Sequence, residues 1–279
     1  MVCRTGYSGS MTMFEILGYG FFQNAIIAGI IAAIACGITG SFVIVRRMVA
    51  TSGGISHAAF GGVGLGYFMG IDPLIGAFLF TIGAAILIWY LKTHELQETD
   101  TITGAIWATG MAVGIIFIAL TPGYAPDLFS YLFGNILLVP HQDLLMMGVL
   151  LILILLLVST LFTQLTAVTF DEEYARIMGL PVGGLTLALF ILIALTVVLL
   201  ISVVGIILVI ALLTLPAATA RLYTHTLPSM MANAVFIGIG TVLAGITLSY
   251  YFDLPSGAMI ILVGAGIYAS TLVGRHYTR

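Results

Sequence analysis

Charged residues are scarce in this chain of 279 residues. Asp, Glu, Lys and Arg together make up only 7% of it, whereas they make up about a quarter of a typical soluble domain. Hydrophobic residues make up 61%, and the mean hydropathy is +1.22. So little charge excludes a soluble globular domain and leaves no basic surface for nucleic acid. The chain is therefore predicted to use membrane lipid as its solvent.

Further absences narrow the class. The two cysteines, Cys3 and Cys36, are too few for a disulfide framework or a metal cluster. No segment shows the alternation of apolar and polar residues that a membrane barrel needs. The sequence contains no phosphate-binding GxxxxGK[ST] loop and no Ser/His/Asp order typical of a hydrolase. We therefore predict an all-α polytopic transmembrane helical bundle, one domain over residues 1–279, with no bound cofactor and no enzymatic activity of its own.

Long apolar runs mark the membrane spans, because a helix needs about 20 apolar residues to cross the hydrocarbon core. Single spans are predicted at residues 22–45, 55–70, 73–91, 102–120, 142–164, 229–250 and 257–273. Residues 1–12 are expected to be a poorly ordered lead-in and residues 13–19 a short interfacial piece. A half-inserted helix is expected at residues 127–139.

The apolar block at residues 183–222 is too long for one crossing. As a single helix it would be about 60 Å long, against a hydrocarbon core of about 30 Å. A tight turn near residues 202–205 would let it cross twice, as the sixth and seventh spans. The total is then about nine crossings, or eight if the block crosses once.

The basic residues favour nine crossings, because cytoplasmic loops are enriched in Lys and Arg. With the N-terminus outside, seven of the eight basic residues lie inside, and Arg4 lies outside. The inside set is Arg46, Arg47, Lys92, Arg176, Arg221, Arg275 and Arg279. This orientation places a multi-pass protein in the cell membrane with its C-terminus in the cytoplasm.

Four aspartates then lie in the predicted outer loops, and they are Asp72, Asp127, Asp143 and Asp253. Together they would give the outer face a negative field that attracts cations. Taken singly, each is more simply explained as an ordinary loop residue.

The second span is short, rich in glycine and contains His57. An ionisable side chain within a span is costly and indicates a functional site by default. A neutral imidazole is also a common ligand for divalent metals. A histidine that only hydrogen-bonds a neighbouring carbonyl group is the alternative. Gly62, Gly66 and Gly70 are spaced four residues apart, so one face of this helix is predicted to let another backbone approach closely.

The stretch at residues 170–181, FDEEYARIMGLP, concentrates charge in a chain that has little of it. Asp171, Glu172 and Glu173 fall in the first turn of a predicted short helix, where carboxylates suit the helix dipole. Arg176 lies in the next turn, and Gly179 is expected to end the helix. Such a helix between long apolar runs indicates a platform at the membrane surface where a soluble partner docks. A solvated amphipathic loop is the alternative.

Four parts of the chain resemble the permease subunits of bacterial and archaeal ABC importers for divalent metals, the zinc/manganese/iron or ABC-3 permease family. They read GSFVIVRRM followed by SHAAFGG, then FDEEYARIMGL, ALLTLPAATARL and SYYFDLPSGA, and the resemblance covers about residues 22–274. It implies a type II-like importer permease that forms a homodimer. It also implies two copies of a separate ABC ATPase docked inside, and an extracytoplasmic metal-binding protein that delivers the ion.

The resemblance also implies roles for individual residues. A short cytoplasmic helix in such permeases fits a groove on the ATPase. The matching residues here are Asp171, Glu172, Glu173, Tyr174, Ala175, Arg176 and Gly179. The second span of many members reads G-D-x-x-S-H, and Ser56 and His57 match the end of that pattern as candidates for the transit site.

One position departs from the family pattern. Gly53 stands where the family has the aspartate, one helical turn before His57. In members that have the aspartate, its side chain and that of the histidine lie on one helix face. The implied transit site therefore lacks one oxygen ligand, which another span, the dimer mate or water would have to supply.

The favoured function is the membrane subunit of an ATP-driven importer for Zn²⁺, Mn²⁺ or Fe²⁺, working by alternating access with ATP bound in the partner subunit. An ABC permease for a metal chelate or a cobalamin-type substrate is one alternative. A stand-alone secondary metal carrier is another. The spans lack the Asp, Glu or Lys relay usual in proton-driven carriers, which counts against that last alternative.

Overall fold

The structure is a computed structural model, and it describes residues 19–94, 97–122, 134 and 136–277. The helices, in chain order, are α1 Gly20–Val45, α2 Val49–Met69, α3 Pro73–Thr93, α4 Thr99–Leu120, α5 His141–Phe170, α6 Glu172–Ile177, α7 Val182–Arg221, α8 Leu227–Phe252 and α9 Ser256–Tyr277. A short 3₁₀-helix, Ile136–Leu138, precedes α5. The predicted lead-in, most of the interfacial piece, Asp127 and most of the half-inserted helix lie outside the described residues.

The helices confirm a polytopic α-helical membrane protein. Within the described residues, 8 helical segments are long and apolar enough to cross a membrane. They are α1, α3, α4, α5, the two arms of α7, α8 and α9. The remaining long helix, α2, is not among them, because its glycines and polar side chains reduce its hydropathy.

Helix α2 instead lies inside the bundle. Every residue from Thr51 to Gly64 is buried, and α2 packs against α3, α4 and α7. Its small residues allow this enclosure. A β-carbon at Gly62 would overlap the carbonyl oxygen of Gly76 on α3, and one at Gly66 would lie 2.7 Å from the Cα atom of Pro73. At these two glycines the backbones of α2 and α3 approach closely.

Gly70 does not share that role. It adopts a left-handed conformation with φ of 68° at the end of α2, and a β-carbon there would meet no atom within 4 Å. Glycine suits this position because the left-handed region costs it no steric strain. Gly70 therefore ends the helix and turns the chain towards α3, which corrects its predicted part in helix packing.

Helix α7 reverses direction at Gly205. A straight helix of its 40 residues would be about 60 Å long, yet both ends of α7 contact the same end of α1. Near its start, Thr186 Oγ1 accepts a hydrogen bond of 3.0 Å from Arg46. At its end, Arg221 donates one of 3.0 Å to the carbonyl oxygen of Ile44. Gly205 has φ of 74° and ψ of 158°, a conformation that glycine alone adopts readily. The predicted turn is confirmed.

The contacts between helices give the described chain two faces. We call the face that carries the Arg46 end of α1 the Arg46 face. Trp89, near the end of α3, donates a hydrogen bond of 2.7 Å to the carbonyl oxygen of Gly183 at the start of α7. The end of α5 also lies on this face, since Arg46 donates to the carbonyl oxygen of Val168.

The direction of the chain then alternates from helix to helix. The described helices pass between the two faces once in each of α1 to α5, twice in α7, and once in each of α8 and α9. This agrees with the nine crossings expected from the sequence.

Replacing Gly62 with alanine should destabilise the protein by about 1–3 kcal/mol, because the new methyl group would meet the backbone of α3, which cannot rotate away. The same change at Gly148 on α5 is the matched control, since a β-carbon there meets no atom within 4 Å. The measurement is thermal unfolding of the two purified variants in detergent. Equal melting temperatures would contradict this packing of α2 against α3.

Candidate functional site

The charged stretch forms a short helix, α6, whose two ends are fixed by hydrogen bonds from its own residues. Asp171 caps the start, and its side chain accepts a hydrogen bond of 2.9 Å from the Tyr174 N–H group. Glu172 and Glu173 occupy the first turn and Arg176 the last, so the charges suit the helix dipole. These features confirm the predicted helix.

Gly179 closes α6 in the manner predicted for a helix end. Its φ is 76°, and its N–H group donates to the carbonyl oxygen of Arg176 at 3.0 Å. The next residue, Leu180, donates to the carbonyl oxygen of Ala175 at 3.0 Å. This pair of bonds is the Schellman motif, so the shape of α6 is determined locally by the sequence.

The outer surface of α6 is apolar as well as charged. Tyr174, Ile177 and Met178 are 57%, 83% and 62% exposed, and Phe170 just before the helix is 62% exposed. Ala175 is the buried residue of α6 and packs towards the bundle. Side chains of this kind, exposed together on one projecting helix, provide the apolar anchors that protein interfaces use. We call these four exposed side chains with Glu173 and Arg176 the α6 platform.

Glu172 points the other way, into a cluster of polar side chains on the Arg46 face. Its carboxylate forms an ion pair with Arg46, whose side chain is only 8% exposed. Lys92, near the end of α3, lies 4.0 Å away as a second cation. Thr186 on α7 donates a hydrogen bond of 3.3 Å to the same carboxylate oxygen. Glu172 therefore has contacts inside the bundle as well as its predicted docking role.

Arg46 is the centre of this cluster. One guanidinium nitrogen donates to the carbonyl oxygen of Val168 at 3.2 Å, and the other donates to Thr186 at 3.0 Å and to Glu172. Burial lowers the pKa of Arg46, and the Glu172 carboxylate offsets part of that effect. The neighbouring carboxylate favours the charged form of the guanidinium. Arg46 thus joins α1 to α5, α6 and α7.

A polar cavity of about 330 Å³ lies beside this cluster, enclosed by the end of α3, by α6 and by the start of α7. It is lined by Lys92, Thr93, Glu172, Arg176, Leu180, Val182, Gly183 and Thr186. The cavity opens on the Arg46 face, so water and a partner's side chains can reach Glu172 from outside.

The second candidate site surrounds His57 within α2. The imidazole is 9% exposed and stacks on the indole ring of Trp107 from α4, with ring centroids 4.2 Å apart and planes 12° apart. Its Nδ1 atom is buried and has no hydrogen-bond partner among the described residues. A buried polar atom without a partner is costly, so Nδ1 is an atom at which a ligand would be favourable. Among the described residues, this atom makes no hydrogen bond to a carbonyl group.

Ser56 and Gly53 contribute less to this site than the family pattern implies. The Ser56 hydroxyl donates a hydrogen bond of 2.8 Å to the carbonyl oxygen of Ser52, one turn earlier on α2. A β-carbon at Gly53 would lie 3.3 Å from the Trp107 ring. Trp107 thus occupies the space beside Gly53. Within the described residues no group of three or more His, Cys, Asp or Glu side chains is placed to hold a metal, so His57 would need ligands from elsewhere.

Three of the predicted outer aspartates lie on the face opposite Arg46. Asp72 caps α3 by accepting a hydrogen bond of 2.9 Å from the Leu74 N–H group. Asp143 lies in the first turn of α5, and Asp253 ends α8 in a left-handed conformation with φ of 54°. Capping accounts for Asp72 and Asp253, and attraction of cations by this set remains a prediction.

The sequence did not indicate two of the residues that build these sites. Trp107 lies in an ordinary apolar run, and its contact with His57 joins residues on two different helices. Arg46 was interpreted only as a basic residue at the end of a span. The one available signal for Arg46 was that a carboxylate follows the fifth span at the same face, where an arginine and a glutamate can pair.

Removing the indole ring should open His57 to chemical modification. In the wild type, Trp107 covers the imidazole, and an aromatic pair contributes about 0.5–1.5 kcal/mol. Trp107→Ala should therefore raise the rate of carbethoxylation of His57 by about 2- to 10-fold, as measured by mass spectrometry of the purified protein. His94 is exposed at the end of α3 and is the internal control. Equal His57 rates in both proteins would show that Trp107 does not cover the imidazole.

The model of the family described as the ABC 3 transport family matches residues 18–274. An uncharacterized membrane protein of Synechocystis sp. is 46% identical over 274 residues, which cover 97% of this chain and 98% of that protein. The manganese import system permease protein ScaB of Streptococcus gordonii is 37% identical over 250 residues, 90% of each chain.

A solved structure has the same architecture. PsaBC from Streptococcus pneumoniae, determined in complex with a Fab, is similar with a TM-score of 0.83 and 36% sequence identity. The match covers 92% of this chain and 93% of the matched chain. The architecture described above is therefore similar to one that occurs in a solved complex.

Proposed function

The chain belongs to the ABC 3 transport family, and on that premise we propose that it is the membrane-spanning permease subunit of an ATP-driven importer for divalent metal ions. The observation that carries the proposal is the α6 platform. It projects from the Arg46 face with Tyr174, Ile177 and Met178 exposed, and the chain itself has no phosphate-binding loop. A platform for a soluble partner, on a transporter without its own nucleotide site, is suited to a separate ATPase.

Manganese is the metal that the relatives favour. ScaB is named as a manganese import permease, and a relative in Halalkalibacterium halodurans, 35% identical over 255 residues, is named as a manganese transport membrane protein. Zn²⁺ and Fe²⁺ are the other candidates, since an imidazole is a suitable ligand for both ions. In this proposal His57 is a weak transit ligand, whose unpartnered Nδ1 atom meets the metal in only part of the cycle.

The proposed assembly has three kinds of contact. Two copies of the permease pair in the cell membrane, and an ATPase docks on the α6 platform of each copy. An extracytoplasmic metal-binding protein delivers the ion to the opposite face, where Asp72, Asp143 and Asp253 lie. This arrangement puts the Arg46 face and the C-terminus in the cytoplasm and the N-terminus outside, in line with the distribution of basic residues.

The mechanism follows from that arrangement. ATP binding draws the two ATPase subunits together and pushes on α6, which moves the spans between outward and inward access. The metal passes near His57 and leaves again, since a transit site must bind weakly enough to release its ion.

Removing the apolar anchors of the α6 platform should weaken ATPase docking. Ile177→Ser deletes a side chain that is 83% exposed, and loss of one apolar anchor of this kind costs an interface at least about 1 kcal/mol, roughly 5- to 10-fold in affinity. The measurement is the amount of ATPase that co-purifies with the permease. Leu254→Ser is the matched control, since Leu254 is also exposed but lies on the opposite face. Equal retention of the ATPase in both variants would remove the platform as the docking site.

Removing the imidazole should impair transport but not assembly. His57→Ala is expected to lower ATP-dependent uptake of radiolabelled Mn²⁺ by about 10-fold or more, in proteoliposomes that contain permease, ATPase and metal-binding protein. His94→Ala is the control, because His94 is exposed and hydrogen-bonds its own helix at Tyr90. Wild-type uptake by His57→Ala would exclude His57 as a transit ligand. Uptake without the ATPase would instead indicate a secondary carrier, and uptake of a chelate but not the free ion would indicate a chelate permease.

A further inference from the structure

We propose that Arg46 is the positioning residue through which a movement of α6 reaches the metal-bearing helix α2, so that the Arg46–Glu172 pair couples ATP hydrolysis to transport and does not serve docking. This inference rests on the proposed function. It assigns Glu172, which the sequence groups with the docking residues, to the inside of the permease.

The first step is the way α6 is attached. Ala175 is the buried residue of this helix, and most of its other side chains point away from the bundle. Glu172 is the charged side chain of α6 that reaches inwards, to an arginine only 8% exposed. A push on the exposed surface of α6 can therefore reach the bundle through its backbone connections to α5 and α7, through Ala175, and through the Arg46–Glu172 pair, which is its ionic link to α1.

The second step is the cost of breaking that pair. Separating a partly buried ion pair leaves an uncompensated charge, which is strongly unfavourable. Here Glu172 also lies 4.0 Å from Lys92, so its withdrawal would leave two cations, Arg46 and Lys92, without their shared carboxylate. When α6 is displaced, it is more favourable for Arg46 to move with Glu172 than for the pair to separate.

The third step is the short connection from Arg46 to α2. Arg46 follows α1 directly, and α2 begins at Val49. Between them, Arg47 has φ of 58°, a strained conformation for a residue other than glycine, and the Met48 N–H group donates to the carbonyl oxygen of Val43 at 2.8 Å. A tight, hydrogen-bonded turn leaves no slack, so a displacement of Arg46 displaces the start of α2.

The last step is the distance from the start of α2 to His57, the candidate metal ligand. His57 lies two helical turns into α2, about 12 Å along the axis. A tilt or rotation of α2 at Val49 therefore changes the position of His57 against Trp107 on α4. The route from the α6 platform to the His57 imidazole therefore consists of the Arg46–Glu172 ion pair, the turn between α1 and α2, and the first two helical turns of α2.

Uptake per ATP hydrolysed is the readout that separates coupling from folding or docking. The complex of permease and ATPase is reconstituted in proteoliposomes with the metal-binding protein, and radiolabelled Mn²⁺ uptake and ATP hydrolysis are measured in the same vesicles. Glu172→Gln keeps the shape of the side chain but removes the charge. It should retain the ATPase on purification and lower Mn²⁺ transported per ATP by about 5-fold or more, the usual lower bound for coupling between two sites.

Arg46→Gln and the double variant complete a cycle. If the two residues act through their mutual contact, the double variant should lose no more coupling than either single variant. Arg221→Gln is the matched control, since Arg221 donates to Ile44 at the same end of α1 and should leave uptake per ATP unchanged. If Arg46→Gln does not purify as a single species, Glu172→Gln against Arg221→Gln decides the question.

Three results would overturn the inference. They are wild-type uptake per ATP in Glu172→Gln, additive losses in the double variant, and loss of the ATPase from Glu172→Gln, which would return Glu172 to the docking surface. Absence of ATP-dependent Mn²⁺ uptake in the wild-type complex is a separate result, because it would contradict the proposed function itself.

Discussion

The need to keep the polar helix α2 away from lipid determines how the bundle is arranged. This helix carries Ser52, Ser56 and His57, and all three are buried. Polar side chains at membrane depth are tolerated where protein surrounds them. The glycines of α2 allow α3 and α4 to approach its backbone, and α7 covers a further side. Among the described residues, the buried His57 Nδ1 atom has no hydrogen-bond partner. The helix that most requires shielding is therefore also the one that carries the proposed transit ligand.

Polar interactions on the Arg46 face join helices that are distant in the sequence. Arg46 links α1 to α5, α6 and α7, and Arg221 returns from the far end of α7 to Ile44 on α1. Trp89 fastens α3 to the start of α7. Much of the remaining packing is apolar, whereas these hydrogen bonds and ion pairs require specific geometry. The Arg46 face is therefore held together by polar contacts between distant helices, which suits the ATPase docking proposed there.

The sequence predicted those features that depend on the length of a segment or on residues close to one another in the chain. The length of the apolar block required the reversal now found at Gly205, and the caps of α6 follow from Asp171 and Gly179. Orientations about a helix axis were not predictable in the same way. Glu172 and Glu173 are neighbours on one turn, yet successive residues point about 100° apart, and only the position of Arg46 shows which of them faces inwards. Trp107 was missed because stacking on His57 depends on how α2 and α4 pack, and no local pattern encodes that contact.

The chain has 2 tryptophans, and they lie at the two ends of the proposed route. Trp89 hydrogen-bonds Gly183 beside the polar cavity on the Arg46 face, while Trp107, itself 38% exposed on α4, stacks on the buried His57. Indole emission responds to hydrogen bonding and to the polarity around the ring, so the protein carries an optical probe at each end without any label. With one tryptophan replaced by phenylalanine, the other can show when its own end of the molecule rearranges. The order in which the two signals change during one ATP cycle would give the direction of travel through the permease.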